Sequence, residues 1–152
     1  MPRIRTLIAL TIAAMALAIG QASVAQGADH ADRYMMRKVN QTRQTHGLGR
    51  LHMSKSLTHS AWKYAHYLMR HQYFGHSSRI HASSRWHRLG EILEIQTGTR
   101  PGVKRALNCW MGSSEHRGII LDGGFSSMGA GRAAGWFRGR KMVIWVMHFG
   151  RP

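Results

Sequence analysis

Residues 141–149, Lys-Met-Val-Ile-Trp-Val-Met-His-Phe (KMVIWVMHF), decide the fold. Met142, Ile144, Val146 and His148 alternate with Val143, Trp145, Met147 and Phe149, so a strand here is apolar on both faces. Such a strand has to be covered on both sides. Residues 125–131 form a second strand-like segment, and Gly135 to Gly139 between the two is the expected hairpin connection.

Upstream, the periodicity changes to that of helices. Asp29 to His46 reads as a first helix, with Asp29 or Asp32 as N-cap and Gly47 as the stop. Tyr34 or Met35, Met36, Val39 and Arg43 fall on one stripe. Leu48, Leu51 and Met53 cross a short connector. Ser54 then caps a second helix from Lys55 to about His71, in which Leu57, Ala61, Ala65 and Leu68 recur at spacings of four, four and three. The small residues at the centre of that stripe allow another element to approach closely. Residues 73–78, YFGHSS, read as a turn, Ser83 to Leu89 as one or two helical turns ended by Gly90, and Glu91 to Ile95 as an extended strand or loop. Pro101 opens a third helix at the N1 position, with Val103, Ala106, Leu107 and Trp110 inward. Ser113 and Ser114 recap a further turn through His116 to Leu121. Helices first, an antiparallel hairpin last and a two-faced strand imply an α+β fold, a three-layer α-β-α sandwich.

The chain has 152 residues, one domain's worth once its first residues are set aside. Arg3 and Arg5 precede an uncharged run from Thr6 to Gly20, and Ser23-Val24-Ala25 supplies small residues where a signal peptidase cuts. A spanning helix needs about 20 apolar residues, and this run is shorter. The expectation is therefore a cleaved signal peptide over residues 1–25, cut after Ala25 or Ala28, with no stable transmembrane anchor, and a secreted or periplasmic domain over residues 29–152. Beyond the two leader arginines the chain keeps 20 Lys and Arg against six Asp and Glu, about +14. Such a charge speaks of partners, here an anionic wall polymer or lipid surface, and export argues against nucleic acid. The single cysteine, Cys109, forms no intramolecular disulfide and is expected to be a buried structural thiol. Trp86, Trp136 and Trp145 are expected in core and rim packing, and His148 as a hydrogen-bonded histidine of the strand.

An ordered series of short motifs adds to this. Asn40-x-x-Arg43 and Gly47-Leu48-x-x-Leu51 precede Leu57-x-x-x-Ala61-x-x-x-Ala65. Phe74-Gly75-His76-Ser77, Gly90-Glu91, the segment from Trp110 to Leu121 (WMGSSEHRGIIL), Phe125-x-x-Met128-Gly129-Ala130-Gly131 and Phe149-Gly150 follow. The series resembles the bacterial secreted type of the CAP superfamily (cysteine-rich secretory proteins, antigen 5 and pathogenesis-related proteins; the SCP-like domain). The resemblance implies a sheet of about three antiparallel strands between helical layers. It also implies a groove with two histidines and an acid, here His76, His116 and Glu91, which in some members holds Zn2+ or another divalent cation. The asparagine expected after Gly90-Glu91 is Ile92, and the second acid of the groove has no counterpart, since Ser113 stands at that place and Glu115 is expected to face solvent.

Two imidazoles and a carboxylate would be the three-ligand set of an open zinc site. Two functions follow as expectations. The first is an extracellular binding module whose histidine-containing groove and basic surface engage a cell-wall, lipid or other anionic ligand. The second is a divalent-metal-dependent hydrolase in which His76 and His116 hold the metal and Glu91 acts as third ligand or general base.

Overall fold

Val143 to Gly150 are buried without interruption in the computed structural model, which describes residues 30–152. They belong to strand β4 (Arg140–Arg151), the centre of the sheet. Around it the described chain forms helix α1 (residues 30–45), β1 (His52–Met53), α2 (Lys55–Arg70), β2 (Arg88–Thr97), α3 (Val103–Gly112), α4 (Ser114–Ile120) and β3 (Ser127–Phe137). The sheet order is β1-β3-β4-β2. β3 and β2 flank β4 antiparallel, and the two residues of β1 pair in parallel with β3. The sheet is therefore four-stranded and mixed. The fourth strand was hidden because two residues carry no period.

Two apolar clusters divide between the faces of the sheet. Ala61, Ala65 and Leu68 of α2 pack with Leu93, Ile144 and Val146. Met35, Met36 and Val39 of α1, Val103, Ala106 and Trp110 of α3 and Ile120 of α4 pack with Ile92, Trp145, Met147 and Phe149 on the other side. This is the three-layer α-β-α sandwich, and the alternation of β4 sets it.

α2 lies directly on β3. A Cβ on Gly129 would stand 2.1 Å from Thr58 N, and one on Gly131 2.1 Å from Trp62 N, so the backbones of helix and strand touch. At the far end Gly135 meets only the Met69 side chain, at 3.6 Å. The hairpin turn is just Arg138-Gly139, both at positive φ (47° and 79°), as a tight two-residue hairpin requires. Gly135 and Trp136 thus belong to β3 rather than to the connection.

Other boundaries also moved. Asp32 lies within α1 and is not its cap, and Asp29 falls outside the described residues together with the expected signal peptide. Residues 83–87 form a turn and bend, and β2 begins at Arg88. Trp86 fixes that path: its ring is buried over Gly150 and its Nε1 donates to Ser56 Oγ at 3.0 Å. α3 begins at Val103 after Gly102, whose φ of 55° makes it the N-cap, so Pro101 precedes the helix. Its carbonyl accepts from Trp145 Nε1. Cys109 is exposed, because Val103, Ala106, Leu107 and Trp110 occupy the inward face and position 109 falls outside it. A hydrogen bond to Glu94, and then burial, raise its thiol pKa above the usual value, which disfavours a nucleophilic thiolate.

Candidate functional site

β2 and β4 pair with Glu91 opposite His148, and both belong to the alternation that faces α2, in line with Leu93 and Val146. The chain leaving α2 turns back over this point through Tyr73 to Ser77. Tyr64 of α2 fixes the turn by donating its hydroxyl to Gly75 O at 2.7 Å. Burial, then the nearby Glu91 charge, push the Tyr64 pKa up to about 12, so it remains a donor.

The Glu91 carboxylate is buried and accepts four hydrogen bonds. Oε1 takes His76 Nδ1–H at 3.0 Å and the Ser77 backbone N–H at 2.9 Å. Oε2 takes the Ser77 hydroxyl at 3.0 Å and His148 Nε2–H at 2.9 Å. Burial alone would raise the Glu91 pKa. The bonds from His148, Ser77 N–H and His76, together with the charge of His148, outweigh it and hold the group below its ordinary value.

An ionised carboxylate only accepts, so its two imidazole contacts fix which ring nitrogens carry hydrogen. His76 carries one on Nδ1, which leaves Nε2 of a ring 60% exposed turned towards solvent. His148 carries one on Nε2, and its Nδ1 is buried without a protein partner. Glu91 therefore orients one buried and one accessible imidazole.

His116 is not part of this group. It sits on α4, whose Ile119 and Ile120 pack with the opposite cluster, and its Nδ1 is buried without a hydrogen-bond partner. Among the described residues no three His, Cys, Asp or Glu gather into a set that could hold a metal ion. A three-ligand zinc centre built from His76, Glu91 and His116 therefore does not fit this arrangement. Glu115 is exposed, as its helical position implied. Ser77, Tyr64 and His148 complete the site. Ser77 lies within a motif the sequence displays, but the pairing of His148 with Glu91 depends on a strand register set 57 residues apart.

Charge surrounds the site unevenly. No Asp or Glu occurs between Arg33 and Gly90 or after Asp122. The loop from His71 to His87 exposes His71, His76, Arg79, His81, Arg85 and His87.

Among solved structures, an outer surface protein from Borrelia burgdorferi superposes with a TM-score of 0.65 at 17% identity, over 78% of this chain and 90% of that one. An extracellular protein containing an SCP domain from Bacillus anthracis gives 0.66 at 19% identity, over 82% of this chain and 41% of that one. Schistosoma mansoni venom allergen-like protein 4 gives 0.57 at 12%, over 80% and 90%. These likenesses concern the fold. A search of curated proteins by sequence gave no match. Residues 36–149 match the Cysteine-rich secretory protein family, which spans both helical layers and the whole sheet core, and the chain belongs to that family, CAP.

Proposed function

We propose that this protein is an exported binding module that engages an anionic ligand of the cell envelope, a wall polymer or a lipid surface, through its basic face around His76. The observation that carries this reading is the filled coordination of Glu91. With all four bonds made inside the protein, the carboxylate is an anchor for the His76 turn and not a group free to react. The accessible handle is the His76 ring beside Arg79, His81 and Arg85 on an acid-free loop. Such a surface attracts polyanions and releases them as salt screens the charges. Export itself rests on the leader-like residues 1–28.

The test is retention on purified wall material and on acidic vesicles as salt is raised. Retention should fall steeply with salt and weaken in His76→Ala and in Arg79→Gln/Arg85→Gln. Indifference to salt would sink the reading. The hydrolase alternative has less support, because it needs Glu91 to give up internal bonds and His116 to join it. Metal analysis of the protein beside its His76→Ala variant separates the two: stoichiometric zinc lost in the variant favours the metal enzyme.

A further inference from the structure

The outer face of α2 carries a line of basic side chains that the group around Glu91 does not use. Lys55, His59, Lys63, His66 and Arg70 recur at spacings of four, four, three and four. This is the rhythm of the buried stripe Leu57, Ala61, Ala65 and Leu68, set on the opposite side of the same helix. At about 100° and about 1.5 Å per residue, the five positions fall within an arc of about 80° and extend over about 22 Å. Lys55, His59, Lys63 and Arg70 are exposed and His66 is half-buried.

The helix forgoes the usual support for such a face. An exposed cation on a helix gains from a carboxylate three or four positions away, yet none of the 16 residues of α2 is Asp or Glu. Lys55 stands in the first turn, where the helix macrodipole disfavours a cation, and no acid accompanies it there. Among the described residues the side chains of Lys55, Lys63 and Arg70 enter no ion pair. The ridge therefore keeps its charges uncompensated, at a cost to the helix that bears them.

We propose that this ridge is a track for a linear phosphodiester polymer of the cell wall, lying along α2. The reading rests on the proposed binding function, names its ligand and adds a second contact surface. A straight row of cations matches an extended chain that carries a charge on every repeat. A lipid plane would call for apolar groups within the contact, and the ridge has none. A nucleic acid would stack its bases on open rings, but the exposed rings on the flanks are already paired along the helix. Trp62 holds His66 at 3.9 Å between centroids and Tyr67 holds His71 at 4.2 Å. Two of the three fixed charges are lysines, compact ammoniums that meet a phosphate as point charges and lack the planar fork that selects a carboxylate.

The experiment is calorimetric titration of the protein with poly(glycerol phosphate) over a range of salt concentrations. Lys55→Gln, Lys63→Gln and Arg70→Gln should each weaken binding about fivefold at low salt. Each should also lower the slope of log affinity against log salt by about 0.7, and the triple variant by about 2. All three side chains are exposed, so the variants should melt at the natural temperature, and Lys55→Gln at the same temperature or higher because it removes a cation from the positive end of the helix. Poly-glutamate and single-stranded DNA of equal charge number should bind more weakly than poly(glycerol phosphate), and tighter binding of either overturns the choice of ligand. Unchanged affinity and slope in the triple variant overturn the ridge. If Arg79→Gln/Arg85→Gln is weakened in the same titration while the ridge variants are not, the broader anionic-ligand reading stands without it. Absence of salt-sensitive binding to all three polyanions removes both.

Discussion

Glu91 and His148 face each other across the β2–β4 ladder with Oε2 2.9 Å from Nε2, and the imidazole is 1% exposed. A buried carboxylate tolerates this position because every lone pair has a donor. His148→Ala removes one charge-assisted bond and leaves a cavity, and should cost about 3 kcal/mol in urea unfolding. The double variant Glu91→Ala/His148→Ala should lose less than the sum of the singles, by about 1–3 kcal/mol. Strict additivity would mean that the contact contributes nothing of its own.

The same carboxylate makes stability depend on acid. Its folded pKa lies below its ordinary 4.5, so the folded state binds that proton more weakly than the unfolded chain does. The stabilisation is therefore complete above about pH 4.5 and disappears as pH falls through the lower, folded value. Glu91→Gln keeps an acceptor for His76 and the Ser77 N–H but has no proton to gain. Unfolding free energies measured from pH 6 down to pH 3 should fall more steeply for the natural protein than for Glu91→Gln. Parallel curves would contradict the assignment.

What the sequence made legible follows the range of the interactions. The two-faced pattern of residues 143–149 gave the three layers, and the stripe of Leu57, Ala61, Ala65 and Leu68 gave the inward face of α2, all four fully buried. His76 and Glu91 came from motif order, and they do meet. The third member of the acid–imidazole group did not come from the same source. His148 reaches Glu91 through a register that no local pattern specifies, whereas His116, suggested by the motifs, sits on a helix of the other layer. Trp86 likewise packs through Gly150 and Ser56, distant in sequence, and this contact replaces the helical turn its neighbours suggested.

The contact of α2 with β3 is backbone on backbone, and it makes a graded prediction. Gly131→Ala puts a methyl 2.1 Å from Trp62 N and Gly129→Ala puts one 2.1 Å from Thr58 N, neither of which a side-chain rotation can relieve. Both should cost about 3 kcal/mol or more, at the upper end of overpacking penalties. Gly135→Ala meets the flexible Met69 side chain at 3.6 Å, ordinary contact, and should change stability by less than about 1 kcal/mol. Thermal melts of the three variants give the order directly. A tolerated Gly131→Ala would show that helix and strand are not in backbone contact.

The motif Asn40-x-x-Arg43 is structural rather than functional, and its chemistry predicts its cost. Asn40 binds the backbone of Leu51 in both directions, Nδ2 to Leu51 O at 2.9 Å and Leu51 N to Oδ1 at 2.8 Å. Arg43, 2% exposed, donates to Gly49 O at 2.9 Å, Ile120 O at 2.7 Å and Asp122 O at 2.9 Å. Burial lowers its pKa, with Asp122 opposing that shift, and the three carbonyls receive its hydrogens in place of water. Together the pair fastens α1 to the strand entry and to the end of α4. Arg43→Lys keeps the charge, but a compact ammonium cannot reproduce the planar fork that spans carbonyls on two separate segments. At least one buried carbonyl should then be left without its donor, at about 1–3 kcal/mol each. Arg43→Lys should therefore destabilise by about 2 kcal/mol and Asn40→Ala by about 3 kcal/mol. Neither should alter vesicle binding at temperatures where the variant is folded, because both side chains lie inside. Loss of binding by a folded Asn40→Ala would place this motif in the ligand surface instead.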